Sequence, residues 1–207
     1  MDAKVTVTKF MTKMPYISAG ITLASFLYKF TLGIITPSVI LVVASISTLI
    51  VFVCKVIFCK FMDKDQDKQR VAYFVMMVLA LAFALLFFMF SILKVGGIDI
   101  THENKYEGFL GYAFIFFVIV MFVLSIINLR GALNKKNLMV IGLKEVIFMS
   151  ALTDAVIIEE FLYRCVLKYT VPFMNLLNAI FPVAVAIVML SIPFFMFKRY
   201  YGMKKES

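Results

Sequence analysis

The sequence predicts an all-α, polytopic integral membrane protein with six transmembrane helices and both termini in the cytoplasm. Hydrophobic residues make up 63% of the 207-residue chain and the mean hydropathy is +1.01, whereas soluble domains are about 45–50% apolar. The charged residues lie in short runs between long apolar stretches, which keeps most charge out of hydrocarbon. We therefore expect residues 1–207 to form a single transmembrane helical domain.

Six apolar segments are long enough to cross a bilayer, whose hydrocarbon core of about 30 Å requires about 20 residues of helix. They cover residues 14–34, 37–58, 71–93, 108–129, 138–163 and 173–197. The first two are separated only by Thr36, Pro37 and Ser38. A capping side chain followed by proline at the first helical position predicts a turn and a new helix there.

The basic residues indicate the orientation, because short cytoplasmic loops carry the excess of lysine and arginine. They lie before the first span, around the 2–3 loop, in the 4–5 loop and at the end of the chain: Lys4, Lys9, Lys13, Lys55, Lys60, Lys64, Lys68, Arg70, Arg130, Lys135, Lys136, Lys198, Arg199, Lys204 and Lys205. The 3–4 loop instead has Lys105 against Asp99, Glu103 and Glu107. Residues 95–107 are therefore predicted to be external.

Composition and motifs exclude several classes of function. The net charge of +9 is explained by topology, and no basic segment is interleaved with base-stacking aromatics, so we expect no nucleic-acid partner. Three cysteines without a CxxC motif and one histidine predict no disulfide framework, no metal site and no cofactor. Phosphate-binding loops and nucleophile triads are absent from the sequence. The expected partners are the lipid bilayer and another membrane protein or a second copy of the chain.

The fifth span differs from the others because it carries six ionisable residues. These are the candidate residues of a polar pathway or of a protein interface: Lys144, Glu145, Asp154, Glu159, Glu160 and Arg164. An ionisable residue inside a span is expensive and by default indicates function. At 100° per residue the three glutamates lie within about 100° of one another, and Asp154 points to the opposite side.

Two placements of these charges are compatible with the sequence. If the helix begins near Leu138, Glu159 lies about 32 Å along it, at the outer interface, where Glu160 and Arg164 would form a solvated pair. Asp154, about 24 Å along, would stay embedded. Asp154→Asn is then expected to leave folding nearly intact while abolishing any proton- or cation-coupled activity. Lys29 in the first span is expected to extend its ammonium group to an interface.

The string Glu159-Glu160-Phe-Leu-Tyr-Arg164 resembles the EExxxR motif of the CAAX-protease and bacteriocin-processing family of intramembrane metalloproteases. In that family, helices after the motif supply histidines that complete the catalytic and metal-binding centre. The single histidine here, His102, precedes the motif, so the resemblance implies a degenerate relative at most.

The longer segment LKEVIFMSALTDAVIIEE is similar to one found in an uncharacterised family of multi-pass membrane proteins of low-GC Gram-positive bacteria. A lysine, a Ser-Ala-Leu step and a glutamate recur there at the spacing of Lys144, Ser150-Ala151-Leu152 and Glu159. This resemblance implies a bacterial plasma membrane location and brings no substrate.

Three functional hypotheses follow from these patterns. The first is a transport-related or sensing protein whose polar fifth helix exchanges protons or cations. The second is an accessory, immunity or assembly protein whose helix faces bind another membrane protein. The third is the degenerate protease relative, and the sequence assigns no enzymatic reaction.

Overall fold

The computed structural model describes residues 2–35, 38–96, 109–134, 137–162 and 172–204. Within these ranges the chain is all-α, with six helices. They are α1 Asp2–Ile35, α2 Val39–Phe61, α3 Gln66–Val95, α4 Phe109–Leu133, α5 Leu138–Phe161 and α6 Pro172–Lys204. The predicted all-α class with six helices is confirmed.

Four helical segments are long and apolar enough to cross a membrane, namely Pro15–Ile35, Val39–Phe61, Gln66–Val95 and Asn178–Gly202. The protein is therefore a membrane protein. α4 and α5 occupy the predicted fourth and fifth segments. α5 is less apolar because it contains Lys144, Glu145, Asp154, Glu159 and Glu160.

The short connections between the first three helices make neighbouring helices antiparallel. α1 ends at Ile35 and α2 begins at Val39, so the predicted break between the first two segments is confirmed, although residues 36 and 37 themselves lie outside the described ranges. The prediction of proline at the first helical position is wrong, because Ser38 is the N-cap residue and α2 starts two residues after Pro37. At the α2–α3 turn the Gln69 side-chain amide donates to the carbonyl oxygens of Met62 and Lys64, at 2.7 and 2.9 Å. These bonds satisfy carbonyl groups that the end of α2 leaves without helical partners.

The core lies among α2, α3, α5 and α6, and α5 is its central element. α5 packs against α2, α3, α4 and α6, whereas α1 packs mainly on α2, and α4 on α5. The largest fully buried side chains include Tyr73, Phe87, Met139, Met149 and Met189. Residues outside this core expose apolar side chains, as expected where lipid is the solvent.

Side-chain contacts at both ends of the bundle give the directions of α3, α5 and α6. At one end Tyr73 of α3 lies against Gly142 of α5, and its hydroxyl donates to the Met196 carbonyl of α6 at 3.4 Å. At the other end Lys94 of α3 binds Glu160 of α5 and Asn178 of α6. α3 and α5 are therefore parallel, and α6 is antiparallel to both.

The directions of α1 and α2 follow in the same way. Gly33 of α1 approaches Val42 of α2, while Ser18 of α1 contacts Lys55 of α2, so this pair is antiparallel. The turn after α2 places Lys55 at the end where α3 begins. The first turns of α1, α3 and α5 and the last turn of α6 thus lie at one end of the bundle, which we call the terminal end.

Candidate functional site

α5 presents its acidic residues at fixed depths because its beginning is defined by a cap. The Asn137 side chain accepts a hydrogen bond from the Val140 amide at 3.2 Å, which satisfies one of the free donors of the first turn. From this start Glu145, Asp154 and Glu160 lie at increasing heights along the helix axis. Each of the three binds a basic residue of a different helix.

The first of these pairs joins α5 to α1. Lys29 Nζ donates to Asp154 Oδ1 at 2.6 Å, and the two side chains are 9% and 16% exposed. Lys29 therefore does not extend to an interface, and that prediction is wrong, because a carboxylate on α5 lies at the same height.

This pair also changes the expected effect of neutralising Asp154. Asp154→Asn would remove the carboxylate but leave the Lys29 ammonium without its partner. An uncompensated buried charge is strongly destabilising. The expectation that Asp154→Asn leaves folding nearly intact is therefore replaced by the expectation of a destabilised protein, unless Lys29 is neutralised as well.

The second pair joins α5 to α6 near the terminal end. The Arg199 guanidinium donates to Glu145 Oε1, and Glu145 is only 4% exposed. Its other oxygen, Oε2, has no hydrogen-bond donor among the described residues. Arg199 thus neutralises a carboxylate that sits about two turns inside α5.

The third contact is a cluster at the opposite end of the bundle. Lys94 Nζ of α3 lies 2.6 Å from Glu160 Oε2 and 2.7 Å from the side-chain oxygen of Asn178 of α6, and 3.9 Å from Glu159 Oε2. Glu160 is 5% exposed. The surrounding helices enclose Glu160. One of the two predicted placements required a solvated Glu160, and that placement is wrong. Arg164, the expected partner of Glu160, lies outside the described residues.

Hydroxyl groups and a second lysine extend the Lys29–Asp154 pair towards the terminal end. Lys55 Nζ of α2 donates to Thr22 Oγ1 at 2.6 Å and to Ser18 Oγ at 2.8 Å on α1. Ser47 of α2 and Ser150 of α5 lie 3.0 Å apart, and either hydroxyl can donate. We call this set the polar seam; it consists of Ser18, Thr22, Lys29, Ser47, Lys55, Ser150 and Asp154.

The predicted residues are thus distributed over three contacts rather than brought together in one site. Asp154 faces α1, and Glu145 and Glu160 face α6 and α3, which agrees with the predicted opposite orientation of Asp154. Lys144 is partly exposed and close enough to Lys55 for the two positive charges to interact.

Sequence reasoning did not identify the basic partners as site residues. Lys94 and Asn178 were not singled out, and Arg199 was counted only with the terminal cluster of basic residues. All three lie near helix ends at the depth of a carboxylate on α5. That shared depth is the signal that could have indicated them.

The glutamates of the EExxxR motif, Glu159 and Glu160, both lie near Lys94. Among the described residues, which exclude His102 and Arg164, no group of three or more acidic, cysteine or histidine side chains is positioned to hold a metal ion. The geometry at these two glutamates is that of interhelical ion pairs.

Comparison of the chain with protein-family models, with curated proteins and with solved structures finds no match. The fold and the contacts described above therefore define the class of the protein, a helical membrane protein whose most polar helix is ion-paired to three others.

Proposed function

We propose that the chain is a six-span protein of the bacterial plasma membrane in which α5 serves a transport-related or sensing function by exchanging protons or cations at its ion pairs. The observation that carries this proposal is the Lys29–Asp154 pair, which we call the deep pair; it lies about two turns inside the nearer end of α5 and is largely buried. Charged groups at such depths are rare, and they mark ion pathways and proton relays.

The helix directions support six spans with both termini in the cytoplasm. The terminal end carries Lys60, Lys64, Lys68, Arg70 and Lys198, of which only Lys68 and Arg70 pair with a carboxylate among the described residues. At the opposite end of the described bundle, the Lys94 charge is offset by Glu160. This asymmetry is that of cytoplasmic loops. The resemblance of the fifth span to proteins of low-GC Gram-positive bacteria adds the plasma membrane location.

Reporter fusions test this topology. A reporter active only in the cytoplasm should give signal when fused after residue 64 or at the C-terminus, and a reporter active only outside should give signal at residue 100. Each fusion site serves as the control for the other two. External activity at the C-terminus would contradict the six-span count.

Flux measurements on purified protein in liposomes test the role of the deep pair. Because Asp154→Asn leaves Lys29 without a partner, the informative variant is the double substitution Lys29→Gln with Asp154→Asn, which removes both charges together. We expect proton or cation flux in the parent and only the background of empty liposomes in the double variant.

The matched control for this experiment is Lys68→Gln with Asp65→Asn. That pair is also a lysine and an aspartate, 3.2 Å apart, but its side chains are 59% and 82% exposed. It should retain the parent flux. Equal flux in both double variants would show that the Lys29–Asp154 pair has no role in the flux.

A second candidate function is an accessory, immunity or assembly protein that binds another membrane protein. One observation favours it: Glu145, Asp154 and Glu160 are all paired within the chain. A helix bundle that conducts no ions would need the same pairing to bury these carboxylates. A chain that gives no flux and co-purifies with a single membrane protein would support this candidate. The third hypothesis, that the chain is a degenerate relative of the intramembrane proteases, is supported by the EExxxR resemblance alone.

A further inference from the structure

The polar seam follows from the periodicity of three helices. On α1, Ser18, Thr22 and Lys29 lie within about 40° of one another at 100° per residue, and on α5, Ser150 and Asp154 also differ by about 40°. α2 contributes Ser47 towards α5 and Lys55 towards α1. The polar groups of the three helices therefore face one another and not the lipid.

The seam extends from the deep pair to the terminal end. Ser150 lies one turn, about 6 Å, from Asp154 along α5, and Lys55 lies about 12 Å beyond Ser47 along α2. The seam contains two lysines and one carboxylate, so its formal charge is positive. Lys144 on α5 adds a further positive charge near Lys55.

We infer that the ion exchanged at Asp154 is the proton, not Na⁺ or K⁺, and that the polar seam is its route to the terminal end. This inference rests on the proposed exchange function. It names the ion that the deep pair would handle and adds Ser47, Ser150 and Lys55 to the residues involved.

A metal cation fits this seam poorly. Hard cations need several oxygen ligands, of which carboxylates and carbonyls are the strongest. The single carboxylate of the seam lies 2.6 Å from an ammonium group, and a cation that displaced Lys29 would leave its charge buried without a partner. The two lysines would also repel the cation in a medium that screens charge weakly.

Proton exchange needs none of these ligands. Transfer of one proton from Lys29 Nζ to Asp154 Oδ1 breaks an N–H bond and forms an O–H bond, leaving an amine and a carboxylic acid with no change in total charge. Loss of the acid proton on one side and uptake of a proton by the amine on the other restores the ion pair. The serine hydroxyls of Ser47 and Ser150 are in contact at 3.0 Å, and because the Ser47 hydroxyl also donates to the Ala44 carbonyl at 2.7 Å, it must rotate to pass a proton to Ser150.

The first test measures flux in liposomes that contain a pH-sensitive dye. Proton flux that persists when choline replaces Na⁺ and K⁺, and is lost in the Lys29→Gln, Asp154→Asn double variant, supports the inference. Flux that requires Na⁺ or K⁺ overturns the inference but leaves the proposed function intact. Absence of any ion flux counts against both.

The second test does not depend on flux. Infrared difference spectra of the purified protein should contain a carboxylic acid C=O band that changes with pH, is missing in the Lys29→Gln, Asp154→Asn double variant, and does not respond to Na⁺ or K⁺. A band that responds to Na⁺ at constant pH, or an Asp154 signal that does not change with pH, would overturn the assignment of the proton.

The route is tested with two serines of the same helix. Ser47→Ala removes the hydroxyl that contacts Ser150. It should slow proton flux about tenfold, because the loss of one hydrogen bond raises the activation free energy of proton transfer by about the energy of that bond. Ser45→Ala is the matched control, because Ser45 is also fully buried on α2 and, like Ser47, donates to a carbonyl of its own helix, but among the described residues its hydroxyl has no hydrogen bond to α5. Equal rates in the two variants would exclude the seam as the route.

Discussion

Replacing Lys29 with methionine should lower the free energy of unfolding by about 3 kcal/mol, because removing one partner of a buried ion pair leaves the other, here the Asp154 carboxylate, as an uncompensated charge. Methionine keeps the length and the apolar stem of the lysine side chain, so the change isolates the ammonium group. The loss can be measured by titrating the protein out of mild detergent with a denaturing detergent and following its helical content.

Two further variants make this result specific. Lys68→Met removes the lysine of an exposed pair and should cost no more than about 1 kcal/mol. Adding Asp154→Asn to Lys29→Met should recover part of the loss, since the remaining carboxylate charge is removed. If Lys29→Met and Lys68→Met unfold alike, the deep pair contributes nothing to stability.

Gly142→Ala should destabilise the protein by about 2 kcal/mol, although alanine is the better helix former. A Cβ atom at this position would lie 2.8 and 2.9 Å from two ring carbons of Tyr73. That ring is fully buried and cannot move aside without disturbing α3 and α6. The same detergent titration measures the effect.

Gly20→Ala is the matched control because a Cβ added there meets no atom within 4 Å. It also lies inside a helix, so alanine should be neutral or stabilising by up to about 1 kcal/mol. A loss at Gly142 that is no greater than the change at Gly20 would mean that α3 and α5 are not closely packed at Tyr73.

The fold class and the helix positions could be predicted from sequence because they depend on local quantities. The length of an apolar run sets the length of a span, and the predicted break near Pro37 separates α1 from α2, although α2 begins at Val39 rather than at the proline. The orientation of Asp154 away from Glu145 and Glu160 was predictable for the same reason, since it depends only on helical periodicity.

The pairing of charges could not be predicted, because it depends on which helices are neighbours. Lys29 and Asp154 are 125 residues apart, and Lys94 and Glu160 are 66 residues apart. Hydropathy gives the depth of each residue but not the arrangement of helices around α5. Extension of the Lys29 ammonium group to an interface was therefore the default expectation. That expectation is wrong because the packed bundle brings the Asp154 carboxylate next to Lys29.

The ion pairs of α5 also bear on how the chain enters the bilayer during synthesis. In the six-span topology proposed above, an unpaired ionisable residue near the centre of a span opposes insertion by about 2.5 to 3.5 kcal/mol, so Asp154 would make α5 alone a poor substrate for the insertion machinery. Lys29 and Lys94 are synthesised before α5, whereas Arg199 comes after it. α5 should thus leave the translocon already associated with α1 and α3, and Glu145 should gain its partner only when α6 arrives.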